Sequence, residues 1–190
     1  PGRSLRGRDP DIRGQRAART RGTGLRGRQS AVFHGAIREA PRLPKGCQGG
    51  LMDNAFKYVI DNGGLCSEED YPYNADRGMC QSDQCKNVVV ISDYADVESN
   101  NEKVLMRAVA HQPISVAIQA NLTSFRFYKS GVYQDPDCGD QLDHGVLIVG
   151  YGRDIFQGLD YWIVKNSWTS KWGDEGYVKI LRNYEKYGGD

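Results

Sequence analysis

The sequence contains no long apolar run, and it has no cysteine before Cys47. The absence of about 18 consecutive apolar residues predicts that no helix spans a membrane. No apolar segment follows the N-terminus, so no secretory signal peptide is visible. The net charge of the whole chain is only +1, which argues against nucleic acid or another polyanion as its partner.

Residues 1–44 differ in composition from the remainder of the chain. They hold eleven arginines, no lysine and three acidic residues, whereas residues 45–190 have a net charge of −7. Arginine, glycine, alanine and proline dominate, and no apolar period is present, which predicts a disordered arm. The same four residue types have GC-rich codons, so translation of a GC-rich exon in the wrong frame is an alternative origin. An Arg-rich arm that binds nucleic acid is a further alternative.

Apolar periodicity begins abruptly after Lys45. It predicts helices over 52–61 and 102–111 and strands over 88–91, 114–118, 144–151, 161–166 and 176–181. Gly63-Gly64 ends the first helix, and Asn100 or Asn101 caps the second. Because helices come first and strands cluster later, we expect an α+β fold.

Two polar residues stand within strongly apolar segments. His144 begins the run from His144 to Tyr151, and Asn166 ends the run that starts at Tyr161. Taken alone, such a histidine is more often structural and such an asparagine more often a turn residue. The pattern by itself therefore assigns no chemistry to either side chain.

Together with Asp135-Pro136-Asp137-Cys138, which is closest to the cathepsin L-like branch, five segments in order resemble the papain family of cysteine proteases. They are 47–53, 112–118, 127–133, 142–152 and 161–168, and the resemblance extends from residue 45 to residue 183. It implies an incomplete papain-like two-domain α+β fold. A remnant of the helical domain would occupy 45–87, an antiparallel β-barrel-like domain 88–183, and a truncated tail 184–190. Phe56, Val59 and Ile60 would then lose their packing partners and be exposed.

The resemblance implies catalytic roles for His144 and Asn166 and a shielding role for Trp168. A cysteine thiolate attacks the peptide carbonyl in this family, and His144 would pair with it and later protonate the leaving amine. Asn166 would accept a hydrogen bond from the imidazole and fix its orientation. Trp168 would shield that hydrogen bond from water.

The resemblance also implies an extended peptide or protein as the substrate. Gly49 and Gly50 would expose backbone for pairing with it. An apolar side chain two residues before the cut would enter a pocket formed by or near Leu51, Met52, Ala117, Asp143 and Gly145. Asp143 has a second interpretation, as a structural acid at the start of a strand.

The family's nucleophile is missing from the sequence. It belongs to a Cys-Gly-Ser-Cys-Trp segment about 130–150 residues before the histidine. No such segment exists, and Cys47 lies only 97 residues before His144, where the family has a disulfide partner. We therefore expect the chain to be inactive as written, despite its resemblance to a cysteine endopeptidase. The alternative is a non-catalytic remnant that binds peptides.

The family resemblance also implies how the cysteines would pair. Family counterparts of Cys47 and Cys80 pair with cysteines of the front portion, and that of Cys138 pairs with one near the C-terminus. Cys66 and Cys85 are left to form a bridge of their own. The family implies a monomer with no metal or other cofactor, located in the lysosome or vacuole or secreted.

Two further positions add to the family pattern or depart from it. Asn121-Leu122-Thr123 is an acceptor sequence for N-glycosylation. Thr169 occupies a position where the family commonly has glycine, so the resemblance does not define the exact shape of the loop after Trp168.

Overall fold

The computed structural model describes residues 16–19, as backbone only, together with 49–76 and 78–183. The chain divides into two compact units, one of residues 1–17 and 96–190 and the other of residues 18–95. The helices are α1 (Met52–Asp61), α2 (Glu102–Val109) and α3 (Thr123–Arg126). The strands are β1 (Arg16–Arg19), β2 (Asp93–Asp96), β3 (Ile114–Ile118), β4 (Val132–Tyr133), β5 (His144–Asp154), β6 (Leu159–Lys165) and β7 (Tyr177–Arg182). The α+β prediction is confirmed.

A mostly antiparallel sheet forms the unit that contains residues 96–190. Strand β5 pairs antiparallel with β3 on one side and with β6 on the other, and β7 continues the sheet beyond β6. The short β4 pairs parallel to β7, and β1 pairs with β3 through Arg16 and Ser115. The β5–β6 hairpin therefore lies in the middle of this sheet.

Alternating burial explains why these segments form strands. In β3, Ile114, Val116 and Ile118 are buried while the residues between them are partly exposed. The same period of two in β6 buries Trp162 and Val164. Trp162 is fully buried, and its indole Nε1 donates a hydrogen bond to Glu102 of α2 at 3.0 Å. The apolar face of α2 thereby covers the sheet.

Helix α2 begins as the sequence predicts and ends two residues earlier. The Asn101 side chain accepts a hydrogen bond from the backbone of Val104 at 3.1 Å, so Asn101 is the cap of the two candidates. His111 lies beyond the helix, in a turn where its N–H bonds to Ala108. Pro113 follows closely and disfavours continued helix.

The unit of residues 18–95 has its own small core under α1. Phe56 and Val59 are 3% and 2% exposed and Ile60 packs partly buried against the same cluster, so the prediction that these three residues are exposed is wrong. The chain reverses at Gly63-Gly64 and returns Leu65 and Ile91 against the helix. Glycine is required at 64, where φ is +135° and a Cβ would lie 2.5 Å from the Val89 carbonyl oxygen.

The expectation of a strand over 88–91 is also wrong. The apolar run 88–91 forms a single bridge between Leu65 and Val89, and β2 begins only at Asp93. Val88 and Val90 are exposed, so the run is not a strand buried on both faces. In the N-terminal arm, where we expect disorder, Arg16–Arg19 is a strand because it pairs with β3.

The other predictions for the arm, for Cys47 and for the tail 184–190 fall outside the described residues. Within the part of the chain that the structure describes, no helix has the length and apolar character needed to cross a bilayer.

Candidate active site

His144 and Asn166 meet at one end of the β5–β6 hairpin. His144 is the first residue of β5, and Asn166 directly follows the last residue of β6. Because the two strands are antiparallel, these ends are neighbours, and His144 Nε2 lies 2.7 Å from Asn166 Oδ1. Asn166 is buried, and its backbone N–H donates to the Gly176 carbonyl at 2.9 Å, which holds the chain as it leaves β6.

The surrounding donors determine the direction of this hydrogen bond. The backbone N–H of Ser167 also points to Asn166 Oδ1, at 2.7 Å, so this atom is the amide oxygen and accepts from both partners. His144 must then carry hydrogen on Nε2 and donate it. The second ring nitrogen, Nδ1, is left for proton exchange with another group.

Trp168 stacks on the imidazole of His144. The ring centroids are 5.0 Å apart with an interplanar angle of 29°. Phe125, which is 1% exposed, packs edge-on against Trp168 at 5.7 Å, and Trp172 packs against both rings. The Trp172 indole is tied to the Arg126 carbonyl by a 3.0 Å hydrogen bond. Aromatic surface therefore covers one face of the histidine.

Sequence reasoning misses the part that Phe125 plays in this cluster. The residue stands alone as an apolar side chain in the four-residue helix α3, too short to show a period. The sequence does not distinguish it from Phe127, which is 74% exposed.

The loop after Trp168 contains a strained residue. Thr169 has φ +67°, a left-handed conformation that is costly for a β-branched side chain. Gly176 packs against the same turn, where an added Cβ would lie 3.2 Å from the Thr169 carbonyl oxygen. Trp168 stacks on the histidine at the start of this loop, and Thr169, the residue that follows it, is strained.

Ala117 and Gly145 lie side by side next to the histidine. They are opposite each other in the β3–β5 register, and Ile118 is opposite His144. A Cβ built on Gly145 meets nothing within 4 Å, so the surface in front of it is open. Ala117, Gly145 and His144 therefore lie at the same end of the sheet.

Asp143 makes hydrogen bonds to the backbone at this end of the sheet. Its Oδ1 accepts a hydrogen bond from the Ala120 N–H at 2.7 Å, and its own N–H donates to the Ile118 carbonyl at 3.1 Å. These contacts tie the end of β3 to the start of β5. They favour the structural interpretation of Asp143 over direct contact with substrate.

The other predicted substrate residues belong to the second unit. Gly49 has φ +87°, and a Cβ on Gly49 or Gly50 would meet nothing within 4 Å. Leu51 is 68% exposed, while Met52 begins α1 and packs partly against its apolar cluster. The role of this segment alongside His144 stays a prediction.

The predicted bridge between Cys66 and Cys85 is confirmed, with Cα atoms 5.9 Å apart. Cys80 is exposed and Cys138 is half-buried, and both are free thiols. Burial raises the pKa of Cys138, and the negative charges of Asp135 and Asp143 raise it further. Among the described residues, no group of three or more His, Cys, Asp or Glu side chains is arranged to hold a metal ion.

Comparison with known proteins gives one consistent result. A sequence profile described as papain family cysteine protease matches residues 38–189. "Probable cysteine protease RD21B" of Arabidopsis thaliana is 54% identical over 142 residues, which are 74% of this chain and 30% of that protein. "Oryzain beta chain" of Oryza sativa subsp. japonica is 54% identical over 139 residues, 73% of this chain and 29% of that protein. The chain thus spans about a third of the length of these curated relatives.

Solved structures agree with this match. The bromelain protease from Ananas comosus superposes with a TM-score of 0.75 at 41% identity, covering 80% of this chain and 69% of that one. The proform of the ragweed pollen allergen Amb a 11, a cysteine protease, gives a TM-score of 0.74 at 41% identity, covering 78% and 40%.

Proposed function

The chain belongs to the papain family of cysteine proteases, and we propose that it carries the acid–base half of a thiol-dependent endopeptidase site. The observation that supports this most strongly is the hydrogen bond from His144 Nε2 to Asn166 Oδ1 beneath Trp168. Since the chain spans about a third of its curated relatives, the activity of the whole protein is part of the proposal.

The direction of that bond defines the proton path. With Nε2 donating to Asn166, Nδ1 is the atom that accepts the proton of a cysteine thiol and later returns it to the leaving amine. The imidazolium formed in between stabilises the thiolate by charge. Asn166 keeps the ring in this orientation, and Trp168 keeps water from competing for Asn166.

The substrate class is a peptide in an extended conformation. Ala117 and Gly145 form an accessible, uncharged surface next to His144. Such a surface suits an apolar side chain of the substrate. Gly49 and Gly50 leave their backbone accessible for pairing with the substrate chain. By family, such a protease works in a lysosome, a vacuole or outside the cell.

The nucleophile of such a site has no counterpart in the 190 residues. None of the five cysteines lies about 130–150 residues before His144, where the family has its nucleophile. The earliest, Cys47, lies only 97 residues before it, and Cys66 and Cys85 are bonded to each other. We therefore infer that the 190-residue chain by itself does not hydrolyse peptides.

A peptidase assay tests this inference. The purified chain is incubated with a fluorogenic peptide that has phenylalanine two residues before the cut, beside the His144→Ala variant and a sample alkylated at its thiols. We expect equal, background release in all three samples. Release that alkylation and His144→Ala both abolish would show that one of the five cysteines is the nucleophile, and would contradict the inactivity.

Binding of peptides without hydrolysis is the second candidate, and the open surface at Gly145 favours it. Calorimetry with an extended peptide aldehyde tests this candidate. The Gly145→Phe variant, which fills the open space in front of Gly145, is the comparison. Saturable binding that this variant weakens at least tenfold would support the second candidate. No heat of binding in the folded wild-type chain would remove it.

A further inference from the structure

Asn121 lies in an exposed turn between β3 and α3, three residues beyond the end of the strand. Its side-chain Oδ1 accepts a hydrogen bond from Gln119 Nε2 at 2.9 Å, which fixes the carboxamide at the surface. The hydrogen bond involves Oδ1 of Asn121 and does not involve Nδ2. The turn has no part in the proposed chemistry of His144.

Asn121-Leu122-Thr123 is the only Asn-X-Ser/Thr triplet in the 190 residues. We propose that Asn121 is a glycosylation site, with Nδ2 as the acceptor for an N-linked oligosaccharide. In this step Nδ2 bonds to C1 of a sugar carried on a lipid pyrophosphate. The C1–oxygen bond breaks, the lipid pyrophosphate leaves with the electron pair, and the amide proton goes to a base of the transferring enzyme.

The neighbours of Asn121 make the turn a suitable carrier. Ala120 and Phe125 are 4% and 1% exposed, and Leu122 packs partly against the same core. Ala120 is also held by the carboxylate of Asp143 at 2.7 Å. Asn121 is thus an exposed residue between anchored ones, so a large polar group attached to it requires no change in the core.

The register places this turn at the catalytic end of the sheet. Ile118, the last residue of β3, is opposite His144, the first residue of β5. A glycan on Asn121 would therefore stand at the sheet end where His144 lies, and would limit the approach of folded proteins more than that of short peptides. The proposal depends on passage through the secretory pathway, which is part of the proposed function.

Translation of the full chain behind a cleavable leader, with microsomes present, tests acceptor competence separately from catalysis. We expect one discrete decrease in gel mobility that endoglycosidase H reverses. Asn121→Gln and Thr123→Ala should abolish it, while Thr123→Ser, which keeps the hydroxyl, should retain it at lower occupancy. Protease protection reports translocation for every variant.

Wild-type chain that is protected from protease but shows no sugar-dependent mobility change would overturn the proposal. A mobility change that persists in Asn121→Gln would overturn it as well, because the sugar would then be elsewhere. Neither result bears on peptide hydrolysis, so failure here is distinguishable from failure of the proposed function.

Discussion

His144 Nε2 lies 2.7 Å from Asn166 Oδ1, although 22 residues separate the two in the sequence. The β5–β6 hairpin brings them together because one residue begins its first strand and the other follows its second. The pair is formed within a single sheet. We therefore expect it to persist in any chain that retains this hairpin.

The imidazole Nε2 proton should be observable by NMR. Trp168 covers the ring and Asn166 accepts the proton, so its exchange with water should be slow enough for a proton–nitrogen correlation signal near neutral pH. Asn166→Ala and Trp168→Ala should each remove the signal, the first by deleting the acceptor and the second by admitting water. Trp168→Phe, which keeps an aromatic cover, should retain it in part. A signal unchanged in Asn166→Ala would show that another group accepts this proton.

Replacing Thr169 by glycine should stabilise the protein. The left-handed conformation at φ +67° costs a β-branched residue roughly 1–2 kcal/mol, which glycine avoids. Glycine loses about 0.5–1 kcal/mol more conformational entropy on folding, and the hydrogen bond from the Lys171 N–H to Thr169 Oγ1 is removed. Urea unfolding should therefore give a free energy higher by about 0.5 kcal/mol. Thr123→Gly is the matched control, since Thr123 is exposed in the helical segment α3. There, glycine should lower stability by about 0.5 kcal/mol. Destabilisation by both changes would mean that Thr169 is not strained.

The two described free thiols should react with iodoacetamide at different rates. Cys80 is exposed, whereas burial and the nearby carboxylates raise the pKa of Cys138 and reduce its thiolate fraction at pH 7.5. Peptide mass spectrometry should find Cys80 labelled at least tenfold faster, and Cys66 and Cys85 unlabelled until a reductant is added. In urea the two thiols should react at similar rates. Equal rates in the folded protein would contradict the burial of Cys138.

Asp160 should make stability depend on pH in the acid range. Burial raises its pKa, but hydrogen bonds from Asn183 and Arg153 and the charge of Arg182 outweigh this, so the pKa is lowered in the folded state. The stabilisation is then complete above the unfolded pKa of about 3.9 and is lost as pH falls through the lower folded value. The free energy of unfolding should decrease less steeply below pH 4 in Asp160→Asn than in wild type. Equal slopes would assign the acid sensitivity to other groups.

Much of the fold is predictable wherever one face of an element is buried. Both α1 and β3 have the bounds that their apolar periods indicate, because their inward residues are regularly spaced. The run Val88–Ile91 looks equally apolar, yet only Val89 pairs, since strand formation depends on a partner that local sequence does not reveal.

The features of the site also fall into those that the sequence predicts and those that it does not. His144 and Asn166 stand in recognisable segments, so their proximity could be expected from the family resemblance. The strain at Thr169 and the support that Phe125 gives Trp168 could not, because both depend on contacts between segments distant in the chain.

The most direct test of the central claim supplies the missing nucleophile. Residues 1–44 are replaced by the front portion of a plant relative that contains the Cys-Gly-Ser-Cys-Trp segment, and kcat/KM is measured with the same fluorogenic peptide. We predict thiol-dependent hydrolysis that His144→Ala reduces on the order of 10⁶-fold, the loss measured when the acid–base histidine of a serine protease is removed. A folded chimera that hydrolyses the peptide equally well with and without His144 would contradict the account.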